Sequence, residues 1–378
     1  MRERAAGEPL GRDGLANGWQ RSHFRGSVEP GPGRIGFMLA MLERMSSCLL
    51  VGGLVLFCLA CGSEGVEDST EDGGTIPGQD GWDVLPDVSG GRIQEIAVAE
   101  LAGKIYIAGG FRMTAAVADV RAYDVAAGKW GQVASLPEPV HHANLAASSG
   151  KLYVLGSLVG LGFTAIGTSW VYDPAANRWT EVATMVAGDE RGSAAVGVID
   201  GKVYLAGGYR NGVAVADVSV YDPANDQWDT TLPNLPAPRD HLTGAAIDGV
   251  FYVIGGRSGT ISSVSGDVYA FDPAQPALGW VARASMPTPR GGTASGVVDG
   301  KIVVVGGEGN PAASSGVFPQ VESYDPVKDQ WTKLSAMRTP RHGMGAAGYD
   351  GKLYVPGGAT SAGFGAVATF EVFTPAPQ

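Results

Sequence analysis

Five arginines recur ten to twelve residues after a tryptophan: Arg92, Arg191, Arg239, Arg290 and Arg341. In a further unit the comparable place is held by His141-His142. A guanidinium is a permanent charge with a planar fork of donors that fits a carboxylate in two-pronged fashion. Repeated along a chain, such groups either receive anionic ligands or brace backbone carbonyls, and both readings stand at this level. A second set follows a series of glycine pairs: Phe111-Arg112, Tyr209-Arg210-Asn211, Arg257 and Glu308-Gly309-Asn310. These residues differ from unit to unit, so a duty shared by all units does not explain them. Phe111 and Tyr209 offer ring faces for a sugar or peptide side chain, and the arginines beside them favour something anionic or carbohydrate-like.

Catalytic chemistry has less to stand on. His141, His142, His241 and His342 are spread over three units, and no group of His, Asp and Glu has metal-ligand spacing. Neither a Gly-x-Ser-x-Gly nor a phosphate-binding loop is present. No metal and no cofactor are expected. Glu308 and Glu190 are the carboxylates that could transfer protons, with Arg191 and Arg290 as grips for an acidic sugar.

Positioning these residues falls to a chain of 378 residues with 58 glycines, 44% apolar and 17% charged content. Short runs of Val, Ile, Tyr and Trp between turns point to an all-β protein. The net charge of −11 offers no chain-wide attraction to nucleic acid, which is not an expected partner. All three cysteines, Cys48, Cys58 and Cys61, precede residue 62, so the repeats hold no thiol nucleophile or thiolate ligand.

Residues 1–40 are rich in Arg, Gly and Pro and read as a disordered or untranslated leader. Residues 41–61 combine an arginine, an apolar run from Cys48 to Ala60 and small residues before Cys61, which is signal-peptide architecture and shorter than a membrane span. The ending Leu59-Ala60-Cys61-Gly62 resembles the bacterial lipoprotein signal. That resemblance implies export, lipid attachment at Cys61 and a place in the cell envelope, with the outer membrane favoured over a free periplasmic or secreted state. Residues 62–81, acidic and glycine-rich, read as a flexible tether.

From Trp82 the chain repeats itself. Gly109-Gly110, Gly207-Gly208, Gly255-Gly256, Gly306-Gly307 and Gly357-Gly358, with Gly156-Ser157 as a degraded member, recur at 47 to 51 residues. A tryptophan stands 26 to 28 residues before each: Trp82, Trp130, Trp179, Trp228, Trp280 and Trp331. Each unit divides into four strands. A small apolar run leads to a turn such as Asp200-Gly201, a second run ends in the glycine pair, a third ends in Tyr-Asp, and the tryptophan opens the fourth. The last unit stops at Phe373 without a tryptophan, and Trp82 at the beginning lacks the strands before it. The first strand therefore completes the last unit and closes a ring, with residues 375–378 left as a tail.

Glycine pair, Tyr-Asp and tryptophan in this register resemble the kelch repeat over residues 82–374. The resemblance implies a six-bladed β-propeller, monomeric, with the arginines around the channel mouth, where adaptors of this family bind partners. The expected function is non-catalytic binding of a protein, peptide or glycan. The alternative is an enzyme similar to the sialic acid mutarotases, using Glu308 or Glu190. Galactose oxidase chemistry needs a cysteine-linked tyrosine and is excluded.

Overall fold

The computed structural model describes residues 81–376. The expected leader, signal and tether fall outside these residues, apart from Gly81. Six four-stranded antiparallel sheets follow one another in sequence. Blade one is Ala97–Leu101, Lys104–Ala108, Val120–Asp124 and Lys129–Gln132, and blades two to five repeat this plan. Blade six is Ala347–Tyr349, Lys352–Pro356 and Phe370–Phe373, with Trp82–Leu85 as its fourth strand. The closure read from the sequence is therefore present, with Trp82 paired to Phe373 and Leu85 to Phe370.

The local chemistry explains each landmark. Asp200, Asp248, Asp299 and Asp350 all adopt φ near +50° and the glycines after them +68° to +79°, which makes the twisted hairpin turn between strands one and two. The aromatic of each third strand packs on the tryptophan of the fourth, with ring centroids 5.2 Å apart for Tyr172–Trp179, Tyr221–Trp228 and Tyr324–Trp331. Each indole N–H then reaches into the preceding blade: Trp179 donates to the Ala134 carbonyl, Trp228 to Ala183 and Trp331 to Ala284. The tryptophan thus buries apolar surface and satisfies its one donor on a neighbour, which fastens blade to blade.

The glycine pairs serve the same joint. At Gly306, φ is +60° and a Cβ would lie 2.3 Å from the carbonyl oxygen of Arg341 in the next blade. The following N–H, from Gly307, donates to that carbonyl at 2.8 Å. Any side chain at Gly306 would push two blades apart.

Candidate functional site

One residue per blade stands where the incoming loop turns into the innermost strand: Glu95, His142, Ser193, His241, Gly292 and Gly343. All six are left-handed, with φ between 49° and 62°. Their backbones bond head to tail. His142 N–H donates to Glu95 O at 3.1 Å, Ser193 to His142 at 2.8 Å, His241 to Ser193 at 3.1 Å, Gly292 to His241 at 2.9 Å, Gly343 to Gly292 at 3.2 Å, and Glu95 to Gly343 at 2.6 Å. The hoop is closed, and it satisfies six backbone donors and six acceptors at the channel. It borders a channel cavity of about 580 Å³ walled mainly by Ala, Val and Gly of the innermost strands, with Thr243, Thr293, Ser295 and Glu100 among them.

Two further tiers lie against this hoop. Gln94, His141, Gly192, Asp240, Gly291 and His342 precede its members, and each pairs with the first residue after a glycine pair or its equivalent: Phe111, Leu158, Tyr209, Arg257, Glu308 and Ala359. Blades four and five thereby bring Asp240, His241, Arg257 and Glu308 together, while blades one, two and six supply Phe111, Leu158, Phe163 and Phe364. Phe111 stacks on His141 with centroids 4.2 Å apart and meets Phe163 and Phe364. Gly292 and Gly343 leave room for acids. A Cβ on Gly343 would lie 2.4 Å from Glu95 Oε1, and one on Gly292 3.4 Å from Glu308 Cγ.

The hydrogen bonds dictate the imidazole tautomers. His141 Nε2 must donate to the Gly160 carbonyl at 2.9 Å, so its Nδ1 accepts, and His142 Nδ1 donates to it at 2.6 Å. His142 Nε2 then faces Glu95 Oε2 at 3.1 Å and His241 Nε2 at 3.1 Å. His241 Nδ1 donates to Asp240 Oδ1 at 2.5 Å, leaving its Nε2 as an acceptor, which Arg257 Nη2 reaches at 3.0 Å. Arg257 also pairs with Asp240 and Glu308. His342 Nε2 donates to the Ser361 carbonyl at 2.9 Å, while its Nδ1 has no hydrogen-bond partner among the described residues and lies 3.6 Å and 3.5 Å from Glu95 and Glu308.

Burial and charge set the protonation here. Burial works to raise the Glu95 pKa, but His142, His342 and His241 overcome it and hold the carboxyl well below the usual range. Burial, reinforced by His142, pushes His141 down to about 3, so it is neutral. Burial and Arg257 likewise push His241 down.

The repeated arginines lie deeper than a ligand face requires. Arg191, Arg290 and Arg341 are fully buried and Arg239 nearly so. Arg191 Nε donates to Gly207 O at 2.8 Å, Arg290 Nε to Gly306 O at 2.7 Å, and Arg239 Nη1 to Gly255 O at 2.9 Å, in each case the glycine pair of the same blade. Arg290 and Arg341 also pair with Glu322 and Glu371 of their own third strands. The backbone carbonyls of Arg239, Arg290 and Arg341 accept from the glycine pair of the preceding blade, and that of Arg191 from the Asn144 amide. The series does not include Arg92. Its place is taken by Ile93, whose carbonyl accepts from Gly358, and in blade two by Val140, while Arg92 itself is exposed and one residue out of register.

Against this geometry, the family model described as the Attractin/LZTR1 beta-propeller matches residues 105–367. The Kelch-like protein terF of Aspergillus terreus is 34% identical over 346 residues, spanning 86% of this chain and 73% of its own. The chain belongs to the kelch-type β-propellers. Human Kelch-like protein 23 is 28% identical over 67% of this chain, which spans 43% of that protein's length. The solved structure titled "Structure of YjhT" has the same fold, with a TM-score of 0.64 at 18% identity over 77% of this chain and 97% of that one. Kelch propellers typically serve as protein-binding modules.

The remaining loop residues divide between the inside and the rim of this kelch ring. Phe111 and Glu308, expected on an exposed ligand face, are buried because pairing with Gln94 and Gly291 turns them toward the axis. Arg112 is held by the Gly91 carbonyl and Asp119, and Arg210 by the Glu190 carbonyl and Asp217. Glu190 accepts from the Gly188 N–H of its own loop, apart from the Glu308 cluster. Tyr209 and Arg257 are partly exposed. At the tips of the loops between strands two and three stand Met113, Leu161, Val213, Ile261 and Phe364, exposed apolar side chains from five of the six blades.

Proposed function

We propose that this chain is an exported, membrane-tethered kelch propeller that binds a protein or peptide partner through the loop face around its channel and does no chemistry on it. The observation that carries this reading is the crown of Met113, Leu161, Val213, Ile261 and Phe364. One apolar residue per loop, set around a rim, gives a partner something to desolvate that single scattered side chains do not. The turns at the other ends of the strands carry Asp200, Asp248, Asp299 and Asp350 and favour staying in water. A protein or peptide fits better than a glycan, because Phe111 is buried and Arg191 and Arg290, the candidate grips, are spent on backbone and carboxylate inside the blades. Lipid attachment at Cys61 followed by the flexible tether would hold the domain at a membrane.

Photo-crosslinking residues at Met113 or Phe364, compared with Val327 on a turn between strands three and four, test the face. Discrete adducts from the first two positions and none from Val327 are expected. Equal adducts from both faces, or none, would overturn the reading. Cys61→Ser separately tests the tether, moving the protein from membrane to soluble fraction.

A further inference from the structure

Four histidines and three acids converge on the channel hoop, and the kelch fold as such does not need them there. Six such positions are met in this chain by Glu, His, Ser, His, Gly and Gly, and the hoop's hydrogen bonds run through backbone alone. The side chains of Glu95, His142 and His241 therefore answer to something besides the ring.

Their arrangement is that of prepared metal ligands. One atom from each lies within 4.8 Å of the other two. His142 is oriented by His141, which is itself fastened to the Gly160 carbonyl, and His241 by Asp240. An imidazole whose far nitrogen donates to a fixed acceptor presents its near nitrogen as a ligand, and a carboxylate behind the ring raises its basicity. The Nε2 atoms of His142 and His241 lie 3.1 Å apart and Glu95 Oε2 lies 3.1 Å from His142 Nε2, so an ion among them would replace the proton between His142 and Glu95 and the Arg257 N–H on His241. Two nitrogens 3.1 Å apart, each about 2.0–2.1 Å from a zinc-sized ion, subtend an angle of about 100°.

Charge leads to the same place. Glu95, Asp240 and Glu308 are three buried or nearly buried carboxylates gathered around the guanidinium of Arg257, a concentration of acid that a divalent cation would offset. A second observation is independent of the triad: His342 Nδ1, on a residue 1% exposed, has no hydrogen-bond partner among the described residues and faces Glu95 and Glu308.

We propose that Glu95, His142 and His241 form a site for one divalent transition-metal ion of the zinc class, reached from the channel cavity. Arg257 gives up its contact with His241 and keeps Asp240 and Glu308. His342 stands beside the site, and the open coordination position faces the cavity. The site would be separate from the rim crown, so it stands or falls independently of the partner-binding reading.

The full chain, made without a histidine tag and stripped with chelator, is titrated with Co²⁺ and then with competing Zn²⁺. One equivalent should bind, with a visible Co²⁺ spectrum, and X-ray absorption of the Zn²⁺ form should show an imidazole-containing N/O shell at about 2.0–2.1 Å. Glu95→Gln and His241→Gln, checked for fold by circular dichroism, should each weaken Zn²⁺ at least about 10-fold. No binding by the wild type overturns the proposal, as does unchanged affinity in the folded variants. A sulfur shell near 2.3 Å overturns it too, by placing the ion on the N-terminal cysteines. Should a variant fail to fold, the wild-type absorption spectrum decides alone.

Discussion

Trp82 and Phe373, from opposite ends of the propeller sequence, pack ring against ring with centroids 4.8 Å apart and sit opposite each other in the blade that closes the circle. Trp82 is fully buried, and its indole donates to Ser335 O in blade five at 3.3 Å. Trp82→Ala removes a large ring, its cross-strand partner and an inter-blade bond together. Denaturant unfolding followed by circular dichroism should show a loss of about 3–5 kcal/mol, more than for the partly exposed Trp130.

Arg341 and Glu371 form an ion pair at 2.6 Å with both side chains out of water. Breaking such a pair strands the partner's charge, whereas replacing both by apolar groups need not. Arg341→Met alone should therefore destabilise by about 3–5 kcal/mol, and the double variant Arg341→Met with Glu371→Leu should recover much of it. A double variant no more stable than the single one would show that the arginine's bonds to the Thr339 and Val355 carbonyls, and not the charge pair, dominate.

The rim makes the opposite prediction. Met113 is 83% exposed, so Met113→Ser should change stability by no more than about 0.5 kcal/mol, while Phe364, 49% exposed and packed on Phe111, should lose about 1 kcal/mol as Phe364→Ser and leave the fold intact. Partner capture, measured as the yield of crosslinked adduct from a probe at Leu161, should fall about tenfold or more if these residues anchor it.

Acid sensitivity can be assigned to a repeated turn. Asp329 Oδ1 accepts from Tyr324 Oη and from the Ala284 N–H of the preceding blade, and these bonds lower its pKa. A pKa lower in the folded state means the carboxylate's contribution is full above its ordinary value near 4 and fades as pH falls through the folded value. Asn177 holds the same place in blade two and makes the same two bonds without a charge. Asp329→Asn should therefore leave stability at pH 7 nearly unchanged and flatten its decline below pH 4, as measured by urea midpoints across that range.

Strand order, blade number and closure were readable because each rests on a local signal: Asp-Gly turns, glycine pairs, and an aromatic paired with a tryptophan a few residues on. The histidines, Arg257 and Glu308 were also picked out, but as members of separate loops. What could not be read was the inward turn that gathers them, since it depends on pairing between residues seventeen positions apart, such as Asp240 with Arg257. Glu95, Asp240 and Gln94 were missed for a related reason. Counting Arg92 as one of the arginine series shifted blade one by a residue and hid that Glu95 occupies the position of His142 and His241. The signal that would have found it is Ile93, apolar like Val140, two residues before.

Because the six-membered hoop is stitched through peptide groups and not through side chains, its positions act as sockets whose occupants are limited by one another and not by the stitching. Glycine, serine, histidine and glutamate already occupy them in one molecule at φ between 49° and 62°. A propeller built this way can exchange the chemistry displayed at its axis without rewriting the hoop, provided neighbouring sockets trade volume, as Gly343 does for Glu95.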